Sequence, residues 1–478
     1  MSYAYCEPLS AVDATFLSVE DANAHMHIGS AALFEAEPLR KQGGLDFERI
    51  LELCASQLHK APRFRQKIAY VPGFAQPVWV DDGSFNMRYH LRHTALPAPG
   101  DERQLKRLAG RILSQQLDRG KPLWEVWVVE GVEGDRVGLI WKLHHCMADG
   151  ISGLDLMNVL MGRDPHYVPK PPPKWVPRPA PSSRKMLLDE ARRWASLPFS
   201  LLSRGGGSVR EAWRGMGSPR DLLRSLRDPE SSPLRGLTPT PLNVEIGPHR
   251  RFDWARIDLA AVLEIRALAG AKLNDVVLSV VAGALRVFLR QRGVRVEDLD
   301  FRVAVPVSVR SEAERGTLGN RVSGLIVRLP LDEADPWKRL LRVADATHEL
   351  KGSGQVGGAE FVERIADLVP SPLLAVLTRY AMRHQPTNLV VTNVPGSPVP
   401  VYMLGARLLA VYPVVPLAPN QGLGVALLSY AGGLYWGFNS DWDSFPDLHD
   451  FAEEIQTQFE ALQKAATADP GRAPSPSE

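Results

Sequence analysis

Cysteine is scarce in this chain: Cys6, Cys54 and Cys146 are the only three among 478 residues. An odd, sparse set offers no disulfide framework and fits a reducing compartment. The opening residues, MSYAYCEPLSAVD, lack the basic and apolar regions of a secretory leader. No run of 18 apolar residues occurs, and the greasiest stretches, residues 273–289 and 404–419, are broken by charges or prolines. A membrane-spanning helix is therefore excluded, and peripheral contact with a membrane stays open. Excess charge is lacking too. The 56 basic and 54 acidic side chains leave a net +2, which gives no reason to expect nucleic acid. The expected location is cytoplasmic, with peripheral attachment to the inner membrane face or to lipid bodies left open.

Two kinds of catalytic loop are also missing. The glycine clusters Gly205-Gly206-Gly207 and Gly352, Gly354, Gly357 and Gly358 follow no predicted strand and carry no Lys-Ser/Thr pair. They are loops rather than phosphate cradles. No Gly-x-Ser-x-Gly elbow is present, which argues against a serine hydrolase of the α/β type.

What is present suits a soluble globular protein: 45% hydrophobic and 23% charged residues. The length predicts two domains of about 150–200 residues each. In the first third, helices are predicted over residues 10–19, 47–58 and 102–117. Strands are predicted over 26–34, 67–71, 77–80, 87–93, 124–130 and 137–143. A helix over 151–161 follows. Composition then shifts: residues 168–183 (VPKPPPKWVPRPAPSS) carry seven prolines and read as an extended linker. Residues 184–235 hold 11 basic and 6 acidic side chains. They read as solvated helices bridging domains, or as an interfacial segment touching anionic lipid. Periodicity resumes near residue 246. Strands are predicted over 252–257, 301–307, 321–329, 389–392, 407–415, 424–430 and 433–438. Helices are predicted over 274–290, 337–351, 361–383 (interrupted at Pro370 and Pro372) and 453–466. The expected division is 1–164, a linker over 165–245, a second domain over 246–466, and a disordered tail over 467–478. Strands and helices interleave without a regular βαβ period, which predicts an α+β architecture.

The sharpest feature is His144-His145-Cys146-Met147-Ala148-Asp149-Gly150, placed where a predicted strand gives way to a helix. Imidazole titrates near neutral pH, as a base activating an alcohol should. A carboxylate four residues on can fix the turn, and Gly150 permits backbone conformations that other residues resist. Blander readings compete. The histidines could simply end a strand, and Asp149 could be only an N-cap. A metal site is disfavoured, because adjacent histidines on extended backbone point apart and no third ligand lies nearby.

HHCMADG resembles the HHxxxDG motif of CoA-dependent acyltransferases built like chloramphenicol acetyltransferase, and of peptide-synthetase condensation domains. Further segments narrow the likeness to bacterial wax ester synthase/diacylglycerol acyltransferase. They are residues 8–35 (PLSAVDATFLSVEDANAHMHIGSAALFE), 122–125 (PLWE), 273–278 (LNDVVL), 306–310 (PVSVR), 319–320 (GN), 392–396 (TNVPG) and 429–432 (SYAG). The likeness runs over roughly residues 8 to 465. The family often has Ser where Thr392 stands, a swap that keeps the hydroxyl.

The resemblance implies two chloramphenicol-acetyltransferase-like mixed-sheet domains, a crossover linker, and an active-site tunnel between the domains. It implies that His145 deprotonates the acceptor hydroxyl and that the alkoxide attacks an acyl-CoA thioester without an acyl-enzyme. The tetrahedral oxyanion then needs a donor. His144 supports the loop and Asp149 holds the turn. Candidate substrate-binding residues are Gly150, Pro122, Leu123, Trp124, Asn274, Ser308, Arg310, Thr392 and Asn393. Six of them have a plainer reading: Trp124 as a core or edge aromatic, Asn274 as an N-cap, Ser308 and Arg310 as turn residues closing a strand, Thr392 and Asn393 as caps of the Val-Pro-Gly turn. No cofactor is expected. The implied partners are a fatty acyl-CoA and a long-chain alcohol or a diacylglycerol. Two alternatives remain at this point: an acyltransferase for a specialised metabolite's hydroxyl or amine, and a non-catalytic lipid-binding protein.

Overall fold

A computed structural model describes residues 5–147, 160–203, 238, 240–308, 322–352, 371–383 and 386–468. After the short strand β1 (Glu7–Pro8) comes helix α1 (Ala11–Val19), whose start is fixed by Ser10. The Ser10 hydroxyl accepts the Asp13 amide at 3.1 Å. Then follow β2 (His27–Glu35), the small pair β3 (Arg40–Lys41) and β4 (Gly44–Leu45), helix α2 (Phe47–Gln57), β5 (Gln66–Tyr70) and β6 (Pro77–Asp81). The strand predicted over 87–93 is instead a four-residue helix, α3 (Met87–His90), and then β7 (Leu91–Ala95). Asn86 causes the difference, because its side-chain oxygen accepts the Arg88 amide at 3.0 Å and nucleates a turn. Helix α4 (Glu102–Leu113) begins in a capping box. Asp101 accepts the Gln104 amide at 2.7 Å, and Gln104 accepts the Asp101 amide at 3.1 Å. It stops short of the predicted residue 117 where the Ser114 hydroxyl donates back to the Gly110 carbonyl at 2.7 Å. Strands β8 (Trp124–Val132) and β9 (Arg136–His144) end at the histidine pair.

The predicted linker is indeed without helix or strand over 168–182, and it is pinned to the first half. Arg178 grips Asp81 through its amide (2.9 Å), Nε (2.9 Å) and Nη2 (2.8 Å). Helix α5 (Ser183–Ser203) begins the basic stretch, and the remainder of that stretch to residue 235 lies outside the described residues.

The second half comprises β10 (Arg250–Asp258), α6 (Leu259–Leu268), α7 (Leu273–Gln291), β11 (Arg302–Ser308), β12 (Val322–Arg328), α8 (Pro336–Gly352), α9 (Ser371–Arg383), β13 (Leu389–Pro395), β14 (Tyr402–Met403), β15 (Ala406–Val414), β16 (Leu423–Tyr430), β17 (Gly433–Asp441) and α10 (Leu448–Thr467). Helix α6 was not predicted: leucine, valine and alanine crowd its sequence without a clean stripe, and its start depends on Asp258 accepting the Ala260 amide at 3.1 Å. The first part of the helix predicted over 361–383, the helix predicted over 151–161 up to Val159, and the tail from 469 lie outside the described residues.

Two six-stranded mixed sheets result. One has the order β14-β15-β2-β9-β8-β7 and the other β10-β17-β16-β13-β11-β12. In the first, β7 and β8 run parallel and the neighbours from β15 to β8 antiparallel; in the second, β13 pairs parallel with both β11 and β16. The α+β, two-sheet expectation holds. The sheets do not divide at a sequence boundary, however, since β14 and β15, from the second half, extend the first sheet beyond β2.

Three contacts seal the halves. A methyl on Gly437 of β17 would stand 1.8 Å from the Pro413 carbonyl of β15, so the sheets touch backbone to backbone there. Trp254 stacks on Tyr412 at 4.6 Å. Helix α4 meets β10, where the Arg250 amide donates to the Ser114 hydroxyl at 2.8 Å. Helix α7 is the core of the second half, packed between α8 and α10, with Val281, Leu285 and Leu289 at zero exposure. No single helix among the described residues is long and apolar enough to cross a membrane. The pair α6 and α7 reaches that composition together, but it is bent by 100° and α7 is this buried core helix.

Candidate active site

Strand register places the chemistry. On the antiparallel pair β2/β9, His27 stands directly opposite His144. The chain then turns through a short 3-10 segment, His145–Met147. The turn is anchored from both sides. The His144 amide donates to the Leu123 carbonyl at 2.9 Å, and the His145 amide donates to the Met26 carbonyl at 2.7 Å. Helix α1 packs against the turn, and Phe16 stacks on the His145 ring with centroids 3.9 Å apart.

His145 is half-buried. Its Nδ1 is enclosed and has no hydrogen-bond partner among the described residues. Burial pushes its pKa down to about 4; nearby His144 acts in the same direction and its own backbone opposes. The ring is therefore neutral at pH 7 and ready to accept a proton, which a base must be. Cys146 beside it is no rival nucleophile. Burial raises its thiol far above the ordinary value, so the thiolate is scarce.

Behind the turn lies a buried polar network absent from the sequence-based candidates. Glu20 follows α1, and its side chain is 1% exposed. One of its oxygens lies 3.5 Å from His27 Nε2 and the other 3.6 Å from His144 Nε2. Arg119 reaches that second oxygen through Nη2 at 2.6 Å and Nε at 3.0 Å. Burial works against the Glu20 charge, but the contacts from His144 and His27 outweigh it and hold the carboxyl well below its usual range. His27 is pushed down to about 3 by burial and stays neutral, leaving Arg119 as the counter-ion. The Cys146 amide donates to His144 Nδ1 at 3.1 Å. That nitrogen is therefore the acceptor, and the His144 proton sits on Nε2, facing Glu20. His144 is thus held in one tautomer by the turn. The only sequence hint of this network was a carboxylate directly after an apolar helix, followed by His25 and His27.

A second buried cation braces the same strand. Lys142 has no exposed surface; its ammonium donates to the Ile112 carbonyl at 2.9 Å and to that of Gln115, at the end of α4. Burial brings its pKa down to about 8.

The remaining candidates sort by position. Pro122, Leu123 and Trp124 are buried. Trp124 Nε1 donates to the Phe64 carbonyl at 2.9 Å, and His90 stacks on its ring at 4.6 Å, so this segment supports the His144 backbone from below. Asn274 is not the N-cap of α7. Lys272 takes that place, its amide donating to Asp275 at 2.8 Å, and Asn274 is the second helical residue. Its side-chain oxygen accepts from Asn393 Nδ2 at 2.9 Å, which brings two half-buried candidates together across 119 residues of sequence. Thr392 precedes Asn393 on β13, half-buried and paired in register with Ala426. Ser308 ends β11 opposite Val322. Asp149, Gly150 and Arg310 lie outside the described residues. Among the described residues, no group of three His, Cys, Asp or Glu side chains is arranged to hold a metal.

Comparison with known proteins gives the family. Residues 9–277 match the family described as the wax ester synthase/diacylglycerol acyltransferase catalytic domain, and residues 318–463 match its C-terminal domain. A probable diacylglycerol O-acyltransferase of Mycobacterium tuberculosis is 32% identical over 94% of each chain. A second, putative one from the same organism is 33% identical over 96% of each. The wax ester synthase/diacylglycerol acyltransferase from Marinobacter aquaeolei VT8 superposes with a TM-score of 0.66 at 25% identity, covering 96% of this chain and 99% of that one. The first condensation domain of the calcium-dependent antibiotic synthetase shares the fold, with a TM-score of 0.56 at 16% identity and 98% of each chain covered.

Proposed function

Because this chain belongs to the wax ester synthase/diacylglycerol acyltransferase family and is an acyltransferase, we propose that it moves a fatty acyl group from acyl-CoA to the hydroxyl of a diacylglycerol or a long-chain alcohol, with His145 as general base. The observation that carries this reading is the neutral His145 ring, held between Phe16 and a doubly anchored turn. His145 takes the hydroxyl proton as the oxygen attacks the thioester carbon. The resulting tetrahedral oxyanion collapses with loss of the C–S bond, and the proton passes from His145 to the leaving thiolate. Free thiol and ester are the products, and no bond to the enzyme forms. The high thiol pKa of Cys146 is consistent with that direct attack.

A low imidazole pKa keeps the base unprotonated and makes the imidazolium a better proton donor to sulfur, while making the free ring a weaker base than an ordinary imidazole. Glu20, through His144, is the positioning group. The Asn274–Asn393 bridge is assigned to the acyl-donor or acceptor path by family resemblance, and Asp149 to holding the turn. Both acceptors partition into lipid, so the reaction is placed at a membrane or lipid-body surface.

The test is thiol release from palmitoyl-CoA with dipalmitoylglycerol or hexadecanol, read together with lipid chromatography. Acceptor-dependent release with a new ester is expected. His145→Ala should lower turnover by about 10²–10⁴-fold. A variant with near-normal turnover would refute the assigned base, and wild type that releases no thiol with either acceptor would refute the reaction.

A further inference from the structure

A cavity of about 260 Å³ opens between the end of α1 and helix α9, lined by Leu17 to Asp21, Arg119, Arg379, Arg383 and Pro419. Three arginines and two acidic residues line it, and the carboxylates are already engaged. Glu20 is held by Arg119 at 2.6 Å. One oxygen of Asp21 accepts the amides of Asn23 and Ala24, each at 2.8 Å. Arg379 and Arg383 lie one helical turn apart on the same side of α9, both exposed, and neither pairs with a carboxylate among the described residues. The end of α9 is fixed, because the Arg383 carbonyl accepts from Asn420 Nδ2 at 3.1 Å. Beside them on α9, Leu373, Val376 and Tyr380 are 51%, 61% and 59% exposed.

Two arginines at one concave site, neither paired with a carboxylate among the described residues, offer the forked donors that a phosphate ester accepts, each able to give two parallel N–H bonds. We infer that the cavity walled by Arg119, Arg379 and Arg383 is a binding site for a phosphate ester. Two sources share that chemistry. One is the phosphate-bearing end of the acyl-CoA donor, which rests on the function proposed above. The other is an anionic phospholipid headgroup, with Leu373, Val376 and Tyr380 meeting the acyl region, and it stands independently of that function. A site of either kind weakens with added salt, since both arginines are solvent-facing.

The experiment uses the full-length protein and the double variant Arg379→Glu/Arg383→Glu. Binding of coenzyme A and of pantetheine is measured by calorimetry. Flotation is measured with vesicles of phosphatidylglycerol and of phosphatidylcholine. The charge reversal is expected to weaken at least one of the two anionic ligands roughly tenfold or more. Loss confined to coenzyme A, with pantetheine unchanged, assigns the phosphate to the thioester. Loss confined to phosphatidylglycerol vesicles assigns it to lipid. The milder Arg379→Gln/Arg383→Gln variant should lose less in the same direction, and both should melt with the wild type. A double variant that binds coenzyme A and phosphatidylglycerol like the wild type overturns the site, as does wild type that binds neither. Turnover of palmitoyl-pantetheine by the wild type separately tests the reaction. If it and palmitoyl-CoA are both inert while the charge reversal still costs binding, the site stands and the proposed reaction falls.

Discussion

The two halves of the molecule differ in how they hold their buried titratable groups. In the second half, the buried cation Arg339 is 1% exposed and its guanidinium is met from several directions: Nε donates to the Ser279 carbonyl at 3.0 Å, Nη1 to the Glu333 carbonyl at 3.2 Å, and Nη2 to Gln458 at 2.8 Å. It rivets α8 to α7 and α10 and leaves no titratable neighbour in need. In the first half, the buried polar groups around β2 and β9 are incompletely met. His27 has both ring nitrogens without a hydrogen bond, His145 has one, and a Glu20 oxygen sits just beyond hydrogen-bond range. Fully satisfied polar groups stabilise; partly satisfied ones retain the capacity to exchange protons. The contrast sets the Arg339 cluster, as scaffold, against the proton-exchanging groups of the first half, where the proposed base lies.

Perturbations should therefore separate along this line. After loss of the proposed base itself, Glu20→Ala should produce the largest effect. It removes the group facing the His144 proton, and kcat should drop at least about tenfold, or 1.4 kcal/mol of barrier. Stability should fall by about 1–3 kcal/mol, toward the lower end because partly exposed Arg119 regains water. The check is steady-state kinetics beside urea unfolding. A stable Glu20→Ala protein with wild-type kcat would break the comparison. Gly283→Ala probes the scaffold half. Its methyl would meet Gln458 Oε1 at 2.2 Å and Arg339 Nη2 at 2.5 Å. A cost of about 1–3 kcal/mol is expected in urea unfolding, with kcat per folded molecule unchanged. Loss of kcat without loss of stability would show that the scaffold half takes part in turnover. The smallest effect concerns pH. His27 and His145 have folded pKa values of about 3 and about 4, against an ordinary value near 6.5. Below that ordinary value the unfolded chain binds more protons, so stability falls as pH drops. Between pH 6.5 and 5.5 each histidine should cost roughly 1 kcal/mol. Melting temperatures should decline over that step, and His27→Gln should flatten the decline; an unchanged slope would remove His27 from the network.

Much of this was legible in the sequence. The histidine pair at a strand end, the α+β interleaving and the apolar core helix α7 all follow from local pattern, because strand and helix periodicities need no knowledge of partners. What stayed hidden depends on long-range register. That His144 faces Glu20, while His145 faces Phe16, is decided by the β2/β9 pairing and the seat of α1. Asn274 read as a cap because its partner Asn393 is distant in sequence; across the second half the two side chains meet. Pro122-Leu123-Trp124 carried equal weight as core or contact, and its burial beneath His144 becomes visible only once Phe64 and His90 close around Trp124. The strand predicted over 87–93 failed on a single asparagine whose hydrogen bond outcompeted the extended pattern.

The placement of β15 beside β2 sets an order of events during synthesis. By the time His144 has left the ribosome, β2, β9, β8 and β7 can pair, but one flank of β2 has no neighbour until Ala406–Val414 arrives. At ordinary translation speeds that interval lasts on the order of tens of seconds. Throughout it, a strand reading HIGSAALFE offers its free backbone groups to any passing chain. The nascent protein thus passes through a sticky adolescence, and its histidine turn comes of age only when the distant strand closes the gap.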